Sequence, residues 1–189
     1  MSSSIDAGAT RTVDSAIGLR DLYYLRFGFA VVWAGLLVAG ASTLTPASVA
    51  LLVIYPLFDV AAAVIDFRTS GAARRRVPLY LNMALSLLTA LGLVAAGTAG
   101  IPDVLRVWGV WAITAGIVQL IIAISRYRLG GQWAMILSGG ISTLAGASFI
   151  AGAGAPDAAL TPLAGYATLG GIFFLISAIR LHRRTTEAQ

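Results

Sequence analysis

Cysteine is absent from this chain, which excludes a disulfide framework and a thiolate nucleophile and leaves the redox compartment unread. Lysine is absent as well, so all 13 basic residues are arginine, against eight acidic ones. The single histidine, His182, sits among Arg180, Arg183 and Arg184 with no thiol or carboxylate close by in sequence, and makes no metal site. Charge of either sign is scarce. Charged residues are 11% of the chain, whereas a soluble domain carries about 25%. So few charges cannot cover a surface facing water. Also missing are a Ser-His-Asp order, a phosphate-cradling glycine loop, metal-ligand spacing and a paired nucleophile and base. The chain therefore reads as a non-enzyme without a cofactor. Nucleic acid is excluded as a partner because the arginines form no continuous stripe.

What is present is apolar. Hydrophobic residues are 58% of the 189. They gather in six runs, at residues 27–44, 47–67, 77–101, 107–125, 129–156 and 158–179. A helix crossing a bilayer needs about 20 apolar residues at about 1.5 Å rise each. Every run can meet that length, the second only by accommodating Asp59 and Asp66. Backbone amides in lipid must find partners within their own segment, so helices are the expected form. The period-two alternation of a membrane β-barrel is absent. Ser2 to Ser4 are polar rather than basic, and the first run starts only near Phe27, which does not read as a cleavable leader. Residues 1–20 read as a flexible tail, 21–184 as a six-helix membrane domain and 185–189 as a C-terminal tail. Tyr23, Tyr24 and Arg26 read as an interfacial belt, with Arg26 reaching back to water.

Arginine placement orients the spans. Twelve of the 13 fall on the side of the two termini, and only Arg106 falls on the other. The positive-inside rule then puts both termini in the cytoplasm of a bacterial inner membrane, and an even number of spans requires both on one side.

The runs repeat. Gly35, Gly92 and Gly146 stand 11, 10 and 10 residues before Pro46, Pro102 and Pro156. Arg68, Arg126 and Arg180 close the units 22, 24 and 24 residues after those prolines. This spacing predicts three tandem helical hairpins of one orientation, at about 22–76, 77–131 and 132–184. Copies of equal orientation differ from the inverted repeats of many secondary transporters. Gly35, Gly40, Gly97, Gly116, Gly139, Gly140, Gly146, Gly170 and Gly171 are expected at helix contacts, where small residues let backbones approach. Pro56 falls within the second run and is expected to kink it.

This pattern of glycine-rich helix, proline turn, second helix with Ala-Gly and closing arginine resembles the HdeD family of small six-span bacterial inner-membrane proteins. The closest-looking segments are 108–119, with Trp108, Trp111 and Gly116, and 132–146, with Trp133 and Gly146. The likeness spans residues 22–184, and its first unit departs where Phe58 and Asp59 replace the Ala115–Gly116 pair. The resemblance implies a six-helix fold and an association with acid resistance, and it implies no catalytic residues.

Asp59 is the sharpest candidate. An aspartate near the centre of a span costs roughly 2.5–3.5 kcal/mol to insert, so it faces the bundle or a water cavity. Gln119 lies at a similar depth in the second unit. Two readings stand: a proton- or cation-responsive pair, or a protonated Asp59 bonded to Gln119, a tyrosine or a backbone carbonyl as packing glue. Asp66 beside Arg68 reads as a solvated interfacial pair. Asn82 reads as glue between helices, and Asp103 as a helix cap facing Arg106. Arg68, Arg74, Arg75 and Arg76 read as a basic loop that sets topology and attracts anionic headgroups. Trp33, Trp108, Trp111 and Trp133 read as interface anchors or packing residues. The bilayer is the expected partner, with a second copy or another membrane protein as further candidates. Two functions follow: a structural, envelope- or acid-stress role, or a small proton- or cation-coupled transporter or channel using Asp59.

Overall fold

A computed structural model describes the backbone at residues 2–40, 43–69, 76–125, 127–129 and 133–187, and the side chains at 17–40, 43–68, 77–125, 127–128 and 133–183. Among the described residues six α-helices follow one another: α1 (Ser2–Ala39), α2 (Pro46–Thr69), α3 (Arg76–Ala99), α4 (Ile101–Ser125), α5 (Trp133–Gly152) and α6 (Thr161–Glu187), with a 3-10 turn at Tyr127–Leu129. The protein is all-α, and each helix holds a segment long and apolar enough to span a membrane. Those segments are Ile17–Ala39, Pro46–Arg68, Val77–Ala99, Ile101–Ser125, Trp133–Gly152 and Thr161–Arg183. Their outward faces are apolar: Val32, Leu88, Val94, Ile121 and Leu144 are all more than half exposed. Such a surface is stable only against lipid.

The first span starts ten residues earlier than expected, at Ile17 rather than Phe27, within a helix that already begins at Ser2. Ile17, Leu19, Leu22 and Leu25 are apolar enough to extend the run upstream, and the extension carries Arg26 into the membrane. The fourth span also starts early, at Ile101. Gly100 alone separates α3 from α4, with φ +129°, a conformation that only glycine adopts readily. Its N–H closes α3 on the Ala96 carbonyl at 3.0 Å, and its own carbonyl accepts from Val104 at 3.2 Å to open α4. At the start of α2, the Thr45 N–H donates to Ser48 Oγ at 2.7 Å and the Ser48 N–H donates to Thr45 Oγ1 at 3.2 Å. This reciprocal cap, followed by Pro46 at the first helical position, fixes where α2 begins. Within α2 the helix runs on through Pro56, which is fully buried and leaves the Leu52 carbonyl without its usual intrahelical donor.

Around the bundle the helices follow chain order, and α6 closes the ring against α1. The most extensive contacts join α4 to α5, α1 to α6 and α2 to α3, so they run between the sequence units rather than inside them. Neighbours α5 and α6 touch least. Glycine explains the α4–α5 pair. A Cβ added to Gly109 or Gly116 would lie 2.6 Å from the carbonyl oxygen of Gly146 or Gly139 across the interface. The reverse approaches are 2.5 Å from Gly146 and 2.9 Å from Gly139. Both glycine pairs are seven residues apart on each helix, so two turns of antiparallel backbone meet directly. Gly35, Gly140 and Gly170, by contrast, face open space, which corrects the expectation that these glycines all serve helix contacts.

Inside, Trp33, Tyr55, Trp108 and Trp111 make a connected aromatic core from α1, α2 and α4. Trp33 stacks on Trp108 at 5.3 Å, Tyr55 meets Trp33 edge-on at 4.6 Å, and Trp108 meets Trp111 edge-on at 5.4 Å. Trp33 Nε1 donates to the Leu51 carbonyl at 2.7 Å. Trp133, 59% exposed at the start of α5, is the one of the four tryptophans that suits an interfacial anchor.

Candidate functional site

Asp59 is buried near the middle of its span, nine residues from Arg68, or about 14 Å along the helix. A carboxylate at that depth requires donors, and three converge on it. Arg26 Nη2 donates to Oδ1, and Asn82 Nδ2 and Ser86 Oγ donate to Oδ2 at 2.6 and 2.8 Å. The donors come from α1 and α3, so one side chain of α2 ties three helices together. Buried charges in lipid persist when paired and hydrogen-bonded in this way.

Arg26 completes the pair. It stands nine residues inside the first span, its side chain is 18% exposed, and its guanidinium lies 4.2 Å above the Phe174 ring of α6. The expectation that Arg26 reaches back to water is therefore corrected. The attraction of a buried carboxylate and the face of an aromatic ring outweighs the pull of the interface. The alternative partner expected for Asp59 is corrected too, because Gln119 is not among its donors.

The ion pair borders a cavity of about 510 Å³ that reaches from the aromatic core towards the side of the termini. Tyr55, Trp111 and Tyr166 stand at its inner end, Tyr23, Phe173 and Phe174 along its flank, and Ser138, Ser142, Gln119 and Asn82 supply polar groups. The Tyr166 hydroxyl shares a hydrogen bond of 3.2 Å with Ser142 Oγ, one of the few links between α5 and α6. Trp111 is 8% exposed, and its Nε1–H has no hydrogen-bond partner among the described residues.

A second cavity of about 290 Å³ adjoins the first, with Asn82, Ala115, Gln119 and Met135 in the wall of both. Asp66 lies at its other side. Thus Asp59, Gln119 and Asp66 do not form one hydrogen-bonded cluster but are strung along two adjoining cavities. Asp66 is only 9% exposed, which corrects its reading as a solvated interfacial residue, while Arg68 is exposed at the end of α2. The side chains of Arg74, Arg75 and Arg76 lie outside the described residues. Asp103 receives Arg106 Nη1 at 2.7 Å, as its spacing predicts.

Asn82 was legible as glue, but Arg26 and Ser86 were not identified as parts of the site. A signal did exist for Arg26. It is flanked by Tyr23, Tyr24 and Leu25 on one side and by Phe27, Gly28 and Phe29 on the other, so it is embedded rather than terminal. Comparison with protein-family models, curated proteins and solved structures finds no match, and the resemblance to the HdeD family rests on residue spacing alone.

Proposed function

We propose that this multi-pass membrane protein is a small-solute carrier rather than an enzyme. It receives its solute in the intramembrane cavity from the side of the termini, which the arginine distribution assigns to the cytoplasm of a bacterial cell. One observation carries the reading: a desolvated Arg26–Asp59 pair borders a cavity of about 510 Å³ in the middle of the bundle. Ionisable groups inside a membrane mark solute or ion pathways, and this cavity lies within the roughly 300–1,000 Å³ typical of small-molecule sites. A proton delivered to Asp59 would weaken its hold on Arg26, which makes the pair the element through which transport couples to protons.

The absence of cysteine makes the test direct. Ser138→Cys, in the cavity wall, is reconstituted in sealed vesicles of known orientation and exposed to a membrane-impermeant maleimide. A carrier gives fast labelling from the side of the termini and slower, measurable labelling from the other side. Labelling from neither side removes the cavity reading, and labelling confined to the terminal side removes the carrier.

A second reading, a structural envelope- or acid-stress role, is favoured by the three donors that fully engage Asp59 and bind α1, α2 and α3 together. It requires that deletion of the protein lower survival in acid, and unchanged survival counts against it.

A further inference from the structure

The cavity is unbalanced in hydrogen bonding: it has donors to spare and no free carboxylate. Asp59 is the only carboxylate among the described residues in its wall, and three donors already occupy its oxygens. Arg26 carries five N–H groups. One meets Asp59, and the other contact of the guanidinium is the Phe174 ring face. Trp111, more than nine-tenths buried in the same wall, adds an indole N–H with no partner among the described residues. A cationic ligand would find its carboxylate engaged and a guanidinium already over the ring. A ligand that brings acceptor oxygens would satisfy groups that are otherwise unpaired, which is where binding gains most.

The rest of the cavity is apolar. Ile141, Leu169 and Phe173 line it from α5 and α6, the neighbours that touch least, and Leu169 is 38% exposed. An apolar ligand body can therefore lie along the α5–α6 seam. Asp59 already neutralises Arg26, so a ligand's single negative charge is held by the remaining guanidinium N–H groups rather than by net charge, and a second charge would be disfavoured further in a low-dielectric setting.

We propose that the cavity binds an amphiphilic monoanion, with a carboxylate headgroup held by Arg26 and the Trp111 indole N–H and an apolar body along the α5–α6 seam. This rests on the cavity being a binding site, as argued above. The headgroup chemistry is shared by a fatty acid arriving through lipid and an aromatic carboxylate arriving through water.

The full chain in phosphatidylcholine nanodiscs is titrated calorimetrically with dodecanoate, benzoate and dodecyltrimethylammonium, with empty nanodiscs subtracted. Saturable binding of dodecanoate alone supports a lipid source, of benzoate alone an aqueous source, and of both the shared headgroup. The trimethylammonium probe is expected to bind at least about tenfold more weakly, the difference made by one charge-assisted hydrogen bond. Trp111→Phe is expected to weaken carboxylate binding by about three- to tenfold without touching the ion pair. The double variant Arg26→Gln/Asp59→Asn, which leaves no buried charge unpaired, is expected to abolish it. The proposal is overturned if neither carboxylate binds, if the ammonium binds as tightly, or if Trp111→Phe binds carboxylate like the wild type. Maleimide labelling of Ser138→Cys separates the two levels. Labelling without carboxylate preference removes only the ligand class, whereas absence of labelling removes the cavity as a site.

Discussion

Replacing Arg26 with glutamine should destabilise the protein far more than replacing Arg26 and Asp59 together. In the single variant Asp59 keeps Asn82 and Ser86 but loses its counter-ion, while its side chain remains only 11% exposed about 14 Å from the end of the span. Removing one partner of a buried pair costs about 3–5 kcal/mol, because the remaining charge is uncompensated. For a chain of this size each kcal/mol moves the melting temperature by about 2–4 °C, so the loss should be about 6–20 °C. In the double variant Arg26→Gln/Asp59→Asn, the new amides can bond to each other and to Ser86, and no charge needs solvation. Buried pairs replaced as a unit are often neutral in stability, so the double variant should melt within a few degrees of the wild type. Thermal unfolding in detergent micelles, followed by tryptophan fluorescence, reads all of these from Trp33 and Trp108 in the core. The reasoning fails if Arg26→Gln melts like the wild type, or if the double variant is as unstable as the single one.

Three further outcomes follow from particular contacts. Gly116→Ala should cost about 1–3 kcal/mol by forcing a Cβ against the Gly139 carbonyl at 2.6 Å, while Gly140→Ala, which meets open space, should be nearly neutral; unfolding midpoints in a denaturing detergent compare them. Gly100→Ala should lose about 1–3 kcal/mol, because its φ of +129° strains any residue with a Cβ, and equal stability in the same titration would deny that the turn is strained. Thr43→Cys and Gly154→Cys should both be labelled from the face opposite the termini, whereas Arg183→Cys should be labelled from the other; labelling of the first two on different faces would break the six-span topology.

The number of spans and their helical form were legible in the sequence because they depend on local quantities. The apolar runs and Asp103 with Arg106 each act within a few residues. The first span was misplaced at its start because Arg26 resembles an interfacial residue when judged only by its charge. Half of the candidate site was legible for a similar reason: Asp59 draws attention alone, but its partners lie 33, 23 and 27 residues away in sequence. Gly35 and Gly116 illustrate the same limit. Both follow alanine in apolar helices, yet one faces open space and the other a backbone carbonyl.

Hydropathy and arginine placement by themselves settle that this chain partitions into lipid as helices, since each segment must satisfy its own amides and bury its own charges or leave them at the edge. Which helix leans most closely on which, that α6 returns to α1, and that a guanidinium and a carboxylate meet beside a cavity were decided only in the tertiary structure. The rotation of each helix about its axis is fixed by its neighbours, and a linear pattern of glycines and apolar residues permits more than one such set of rotations.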